Sequence, residues 1–145
     1  MKFKLILTGI TVILALSLMA CATSKPGSVS WEVSIDNFTS QQHISDQIEV
    51  PAGDTLTLTL GSNPTTGFEW DEAAQISDTG VLKQVNHEFI GPDSDPPPAP
   101  GTPGQEVWTF NAVKEGAATV YMEYSRPWED GEKGEWTYTL EVTVK

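Results

Sequence analysis

The sequence predicts an all-β protein, an immunoglobulin-like antiparallel β-sandwich of about eight short strands. Three observations predict it. Several segments alternate apolar and polar residues with period two, turn residues punctuate them at regular intervals, and nothing after the first twenty residues repeats at helical spacing long enough to matter. Residues 55–60 read Thr-Leu-Thr-Leu-Thr-Leu, which puts Leu56, Leu58 and Leu60 on one face and three β-branched threonines on the other. Trp31, Val33 and Ile35 alternate with Glu32 and Ser34, and Phe68 and Trp70 flank Glu69. Toward the C-terminus, Trp136, Tyr138, Leu140, Val142 and Val144 alternate strictly within a strand over 135–144. Further strands are expected over 47–50, 81–90, 106–113 and 118–124, with a turn at 51–54. Residues 71–80 are the weakest stretch, a helical turn or an irregular loop. The cysteine pair of antibody domains is absent, so the likeness is one of architecture only.

At 145 residues the chain suits a single domain, here residues 31–145, preceded by two short segments. Residues 1–20 open with Lys2 and Lys4 and continue through an apolar run to Leu18-Met19-Ala20-Cys21, a pattern that resembles a bacterial lipoprotein signal. A basic start and a short apolar run ending in small residues read as an export signal; an uncleaved membrane anchor is the competing reading. The resemblance makes Cys21 the lipid-bearing first residue of the mature chain, with residues 21–30 as a small, polar tether. Either reading places the domain outside the cytoplasm and ties it to a membrane. The expected location is the bacterial cell envelope, facing the periplasm or the cell surface. Ala22, in place of Asp after the cysteine, points by the rule of such signals to an outer membrane where the cell has one.

Cys21 is the single cysteine, which excludes an internal disulfide, a cysteine metal site and a cysteine nucleophile inside the fold. The formal net charge is -12; without Lys2 and Lys4 the chain carries 6 basic and 20 acidic residues, or -14. Nucleic acid is excluded as a partner, since nothing would neutralise phosphates. The acid balance suits solubility and can also steer a basic protein partner.

Catalytic chemistry has no credible set of residues. His43 and His87 are isolated and read as structural or surface histidines. Asp93-Ser94-Asp95 begins like a calcium loop, but Pro96 and Pro97 break its register. Gly101-Thr102-Pro103-Gly104 lacks the ending of a phosphate loop, and Asn37-Phe38-Thr39 is a glycosylation sequon that a bacterial lipoprotein would not ordinarily use. Glu129, Asp130, Glu132 and Glu135, around Gly131 and Gly134, read as the solvated tip of a hairpin. The expectation is a monomer that is not an enzyme and needs no cofactor or metal.

Three loops hold the unusual residues. Residues 61–70 contain Asn63-Pro64-Thr65-Thr66-Gly67, in which Pro64 restricts the backbone and Gly67 permits a positive φ. Taken alone it is an ordinary turn between strands. Residues 91–104 hold six of the ten prolines and lead into Val107-Trp108-Thr109-Phe110. Then Tyr124-Ser125 is followed by Arg126-Pro127-Trp128; Trp128 reads equally as a core residue at a strand end or as an interface anchor. In this order the three stretches resemble the chagasin-type inhibitors of papain-like cysteine peptidases, from about Val50 to the C-terminus.

The resemblance implies that Asn63, Pro64, Thr65, Thr66 and Gly67 enter the active-site cleft of a papain-like peptidase, with Thr65 and Thr66 nearest its catalytic pair. Arg126, Pro127 and Trp128 would pack beside the cleft, and Gly101, Thr102, Pro103 and Gly104 would form the middle contact. The departure is the added proline-rich stretch over 93–100, which bears on the choice of target enzyme. The alternative is an envelope lipoprotein that binds carbohydrate or another surface protein through aromatic residues on a sheet face.

Overall fold

The computed structural model describes residues 25–93 and 95–145. The proposed signal, Cys21 and Ser94 lie outside the described residues. Among the described residues nine strands form the body: β1 (Ser28–Val33), β2 (His43–Val50), β3 (Thr55–Ser62), β4 (Glu69–Trp70), β5 (Gln75–Ile76), β6 (Leu82–Ile90), β7 (Gly104–Ala112), β8 (Gly116–Ser125) and β9 (Trp136–Val144). One sheet has the order β1-β3-β7-β6; the other runs β2-β9-β8-β4, with β5 also paired to β8.

The all-β sandwich follows the alternation in the sequence. Leu56, Leu58 and Leu60 on β3 are fully buried and face Val120, Met122, Tyr138 and Leu140 in a single core. With no internal disulfide available, burial of such side chains, worth about 1.5–3 kcal/mol each, is the main source of stability.

Three expectations need correction. The sheets are mixed: β1 lies parallel to β3 and β2 parallel to β9, while the other pairs are antiparallel. The tether predicted over 21–30 is shorter, because Ser28–Ser30 already pair with Thr55–Thr57. The alternation Trp31-Val33-Ile35 also stops early, since Ile35 begins a helix, α1 (Ile35–Ser40). Ser34 caps it: the backbone N–H and hydroxyl of Ser34 both donate to Asn37 Oδ1, at 3.0 and 2.8 Å. Six residues are too few to show a 3.6-residue period. The helix buries Phe38, whose ring lies 5.1 Å from Trp70.

The registers bring three connections to one end of the sandwich. Ser62, the last residue of β3, stands opposite Gly104, the first of β7. Glu69 at the start of β4 stands opposite Ser125 at the end of β8. Residues 63–68 (loop 1), 91–103 (loop 2) and 126–135 (loop 3) therefore leave the sheets side by side.

Leu58→Ala is expected to lower the unfolding free energy by about 2–5 kcal/mol in a urea titration, through lost transfer energy and a cavity. Thr57→Ala, on the opposite face of the same strand, is expected to change it by less than about 0.5 kcal/mol.

Candidate binding edge of three loops

Loop 1 is a single 3-10 turn, Pro64–Thr66, that closes on Gly67. Pro64 occupies a first-turn position, where its missing N–H costs nothing, and Gly67 takes the left-handed conformation at φ +80°. The loop's polar groups are tied inward to Asn63. Thr65 Oγ1 donates to Asn63 Oδ1 at 2.7 Å, Thr66 Oγ1 donates to the Asn63 carbonyl at 2.7 Å, and the Gly67 N–H donates to the Pro64 carbonyl at 2.9 Å. Pro64, Thr65 and Thr66 form the exposed crest.

Asn63 also fixes the loop to its surroundings. Its N–H donates to the Tyr124 hydroxyl at 2.8 Å, and its side-chain amide donates to the Gly101 carbonyl at 2.9 Å, so loop 2 is held against loop 1. Loop 2 turns there through Gly101 at φ +83°, with the Thr102 N–H and hydroxyl both donating to the Ala99 carbonyl. Gly104, expected in this loop, is a buried β7 residue with the Phe89 ring across it.

Loop 3 closes the other side. Trp128 is 51% exposed, which excludes the core reading, and its Cη2 lies 2.8 Å from where a Gly67 β-carbon would stand. Arg126 lies partly against the domain and is about a third exposed, at 35%. Its guanidinium lies 4.6 Å over the Phe68 ring and pairs with Glu132 at 2.9 Å, while Nε is buried. The acidic tip is exposed as expected, yet internally bonded: the Arg126 N–H donates to the Glu132 carbonyl at 2.8 Å, and Lys133 Nζ donates to the Arg126 and Trp128 carbonyls.

Beneath the crest, the two stems of loop 1 converge on the buried carboxyl group of Glu106. Ser62 Oγ donates to its Oε1 at 2.6 Å, and the Trp70 N–H approaches the same oxygen at 3.4 Å. His87 Nε2 stands 3.0 Å from Oε2, which gives this histidine the structural role expected of it. A signal was present in the sequence, since Glu106 shares the inward register of Trp108 and Phe110. Tyr124 was visible only as a strand residue. Its ring sits among Phe68, Trp70 and Trp136 at 4.9–5.9 Å, and its hydroxyl holds Asn63.

Asp71 follows β4, and burial raises its pKa above 3.8, although the Glu123 N–H bonded to its carboxylate opposes the shift and the Glu123 charge adds to it. Among the described residues no cluster of His, Cys, Asp and Glu could hold a metal ion. No helix among them is long and apolar enough to cross a membrane.

The sequence profile of the Chagasin family peptidase inhibitor I42 matches residues 49–142, more than half of the chain. This chain belongs to the chagasin family. Chagasin of Trypanosoma cruzi is 30% identical over 91 residues, covering 61% of this chain and 80% of its own length. Amoebiasin-2 of Entamoeba histolytica is 28% identical over 98 residues, covering 68% and 76%. The fold resembles the crystal structure of EhICP2, a cysteine protease inhibitor from Entamoeba histolytica, with a TM-score of 0.60 over 83% of this chain and 100% of that one, at 21% identity. It also resembles PbICP-C, solved in complex with falcipain-2, with a TM-score of 0.53 at 17% identity over 82% and 99% of the two chains. The family is one of inhibitors and not of enzymes.

Tyr124→Phe removes one hydroxyl and keeps the ring. The expected result is faster amide hydrogen exchange at Asn63, unchanged exchange at Leu58, and a stability loss of about 1 kcal/mol. For Asp71, a native pKa above the unfolded one means that the folded state binds more protons between the two values, so stability falls as pH rises through that window. Asp71→Asn is expected to raise the melting temperature at neutral pH and to leave it unchanged in acid below the window.

Proposed function

We propose that this chain is a reversible, tight-binding inhibitor of papain-like cysteine peptidases, and that Cys21 carries a lipid holding it at the bacterial cell envelope. The observation that carries the inhibitor reading is the bracing of the Pro64-Thr65-Thr66 crest between Gly101 and Trp128. A peptidase cleaves when a carbonyl carbon lies in line with its nucleophile and the carbonyl oxygen meets the oxyanion donors. A 3-10 turn is closed on itself, whereas a substrate backbone is extended. It fills the cleft and offers no carbonyl in that geometry.

Rigidity supports affinity as well. The threonine hydroxyls of the crest are already bonded to Asn63, so little freedom is lost on binding. Pro64, Thr65, Thr66, Pro127 and Trp128 supply the exposed contacts of loops 1 and 3, and Gly101 and Pro103, with half-buried Thr102 between them, those of loop 2. Asn63, Gly67 and Arg126, each only partly exposed, act from behind by holding the others in place. The edge then approaches the roughly 800 Å² per partner of ordinary enzyme–inhibitor complexes. The lipid anchor rests on the basic start, the apolar run and Leu18-Met19-Ala20-Cys21.

The test is the residual activity of a papain-like peptidase titrated with the full chain, with a serine peptidase as control. Saturable, reversible inhibition of the cysteine enzyme alone is expected; no inhibition of several papain-like enzymes at micromolar concentration overturns the reading. Thr66→Ala and Trp128→Ala are each expected to raise the inhibition constant about 5- to 30-fold with an unchanged melting temperature. For the anchor, Cys21→Ser is expected to abolish both the lipid mass increment and partitioning into detergent.

A further inference from the structure

Five large apolar side chains are exposed among the described residues: Val85, Phe89, Ile90, Val113 and Trp128. Trp128 belongs to the edge already described. Phe89 and Ile90 end β6 and lead directly into loop 2, so they stand at the same end of the sandwich. Loop 1 crosses from the first sheet to the second. Phe89 lies in the first sheet and Trp128 follows the second, which sets them on either flank of that loop.

Phe89 is 47% exposed, yet its position is fixed. It stands opposite Glu106, and its Cζ lies 2.7 Å from where a Gly104 β-carbon would stand, so the bare backbone of Gly104 seats the ring. The ring shares a recess with Pro64 of the crest, and Glu69 and Glu72 line the same recess. An aromatic ring held in place but half uncovered loses little freedom when a partner covers it. A phenyl ring rimmed by carboxylates, on a chain of formal charge -12, fits an apolar surface that carries basic groups.

We propose that Phe89 is a fourth contact with the same peptidase, on the flank of the cleft opposite Trp128, and that it selects enzymes with an apolar, basic surface there. This rests on the inhibitor reading and extends it beyond the three loops. Its continuity with Pro64 assigns the ring to the peptidase and not to a second copy of this chain.

The experiment measures association and dissociation rates of the full chain with a papain-like peptidase, for the parent, Phe89→Ser, Trp128→Ala and Val113→Ser. Val113 follows β7 at the far end of the sandwich and serves as the control. The expected result is dissociation about tenfold faster for Phe89→Ser, with association, melting temperature and the Val113→Ser variant unchanged. Parent-like dissociation of Phe89→Ser beside a faster Trp128→Ala overturns this proposal and leaves the inhibitor reading standing. A parent that does not inhibit at all overturns both. A concentration-dependent dimer in sedimentation that Phe89→Ser dissolves, with unchanged dissociation from the peptidase, assigns the ring to a second copy and overturns the proposal. Should Phe89→Ser melt lower, amide exchange of the parent decides: slowing over 88–90 in the complex supports the contact, and unchanged exchange overturns it.

Discussion

The binding edge depends on one buried side chain. Glu106 points into the sandwich from β7, where an unpartnered carboxyl group would cost several kcal/mol. Its partners are Ser62 at the exit of loop 1, Trp70 just past the re-entry, and His87 on the neighbouring strand. Satisfying the acid thus fixes the span that residues 63–69 must bridge. The span is short, so the connection folds as one tight turn instead of a floppy loop. The same group joins the two sheets, because Ser62 lies in the first and Trp70 in the second.

Above the acid lies a layer of aromatic rings that converts core packing into loop position. Phe68 stacks on Tyr124 at 5.6 Å and meets Trp136 edge-on at 5.2 Å, while Trp70 joins Phe38 of α1 to Tyr124. Tyr124 turns its hydroxyl to Asn63, and Phe68 offers its face to Arg126. One side of the layer holds loop 1 and the other holds loop 3. Contact between them through Gly67 and Trp128 then follows, and only glycine fits there, for both its φ and its lack of a side chain.

Much of this was legible in the residues, and the gaps have physical causes. Period-two alternation exposed β3 and β9 because their faces differ sharply in polarity. Parallel pairing of β1 with β3 and β2 with β9 left no local trace, since it is decided by partners more than twenty residues apart. The crest residues were legible through Pro64 and Gly67, whose backbone preferences are strong. For Arg126 the sequence gives the type of the side chain and not its direction; Phe68 and Glu132 hold part of it against the domain and leave part of it open. Phe89 and Tyr124 passed as ordinary strand residues for the same reason, although one is half open and the other braces a loop.

The direction of the chain through the fold bears on the proposed anchoring. β1 runs parallel to β3, with Ser28 beside Thr55 and Val33 beside Leu60. The described chain therefore enters at the end where β3 begins, and the three loops emerge where β3 stops. Thr55 to Ser62 spans eight residues, about 25 Å of extended strand. A lipid on Cys21 would hold the entry end near the membrane and point the Thr65–Thr66 crest away from it. A peptidase approaching from the aqueous side would then meet the binding edge first, without the short tether having to fold back on itself.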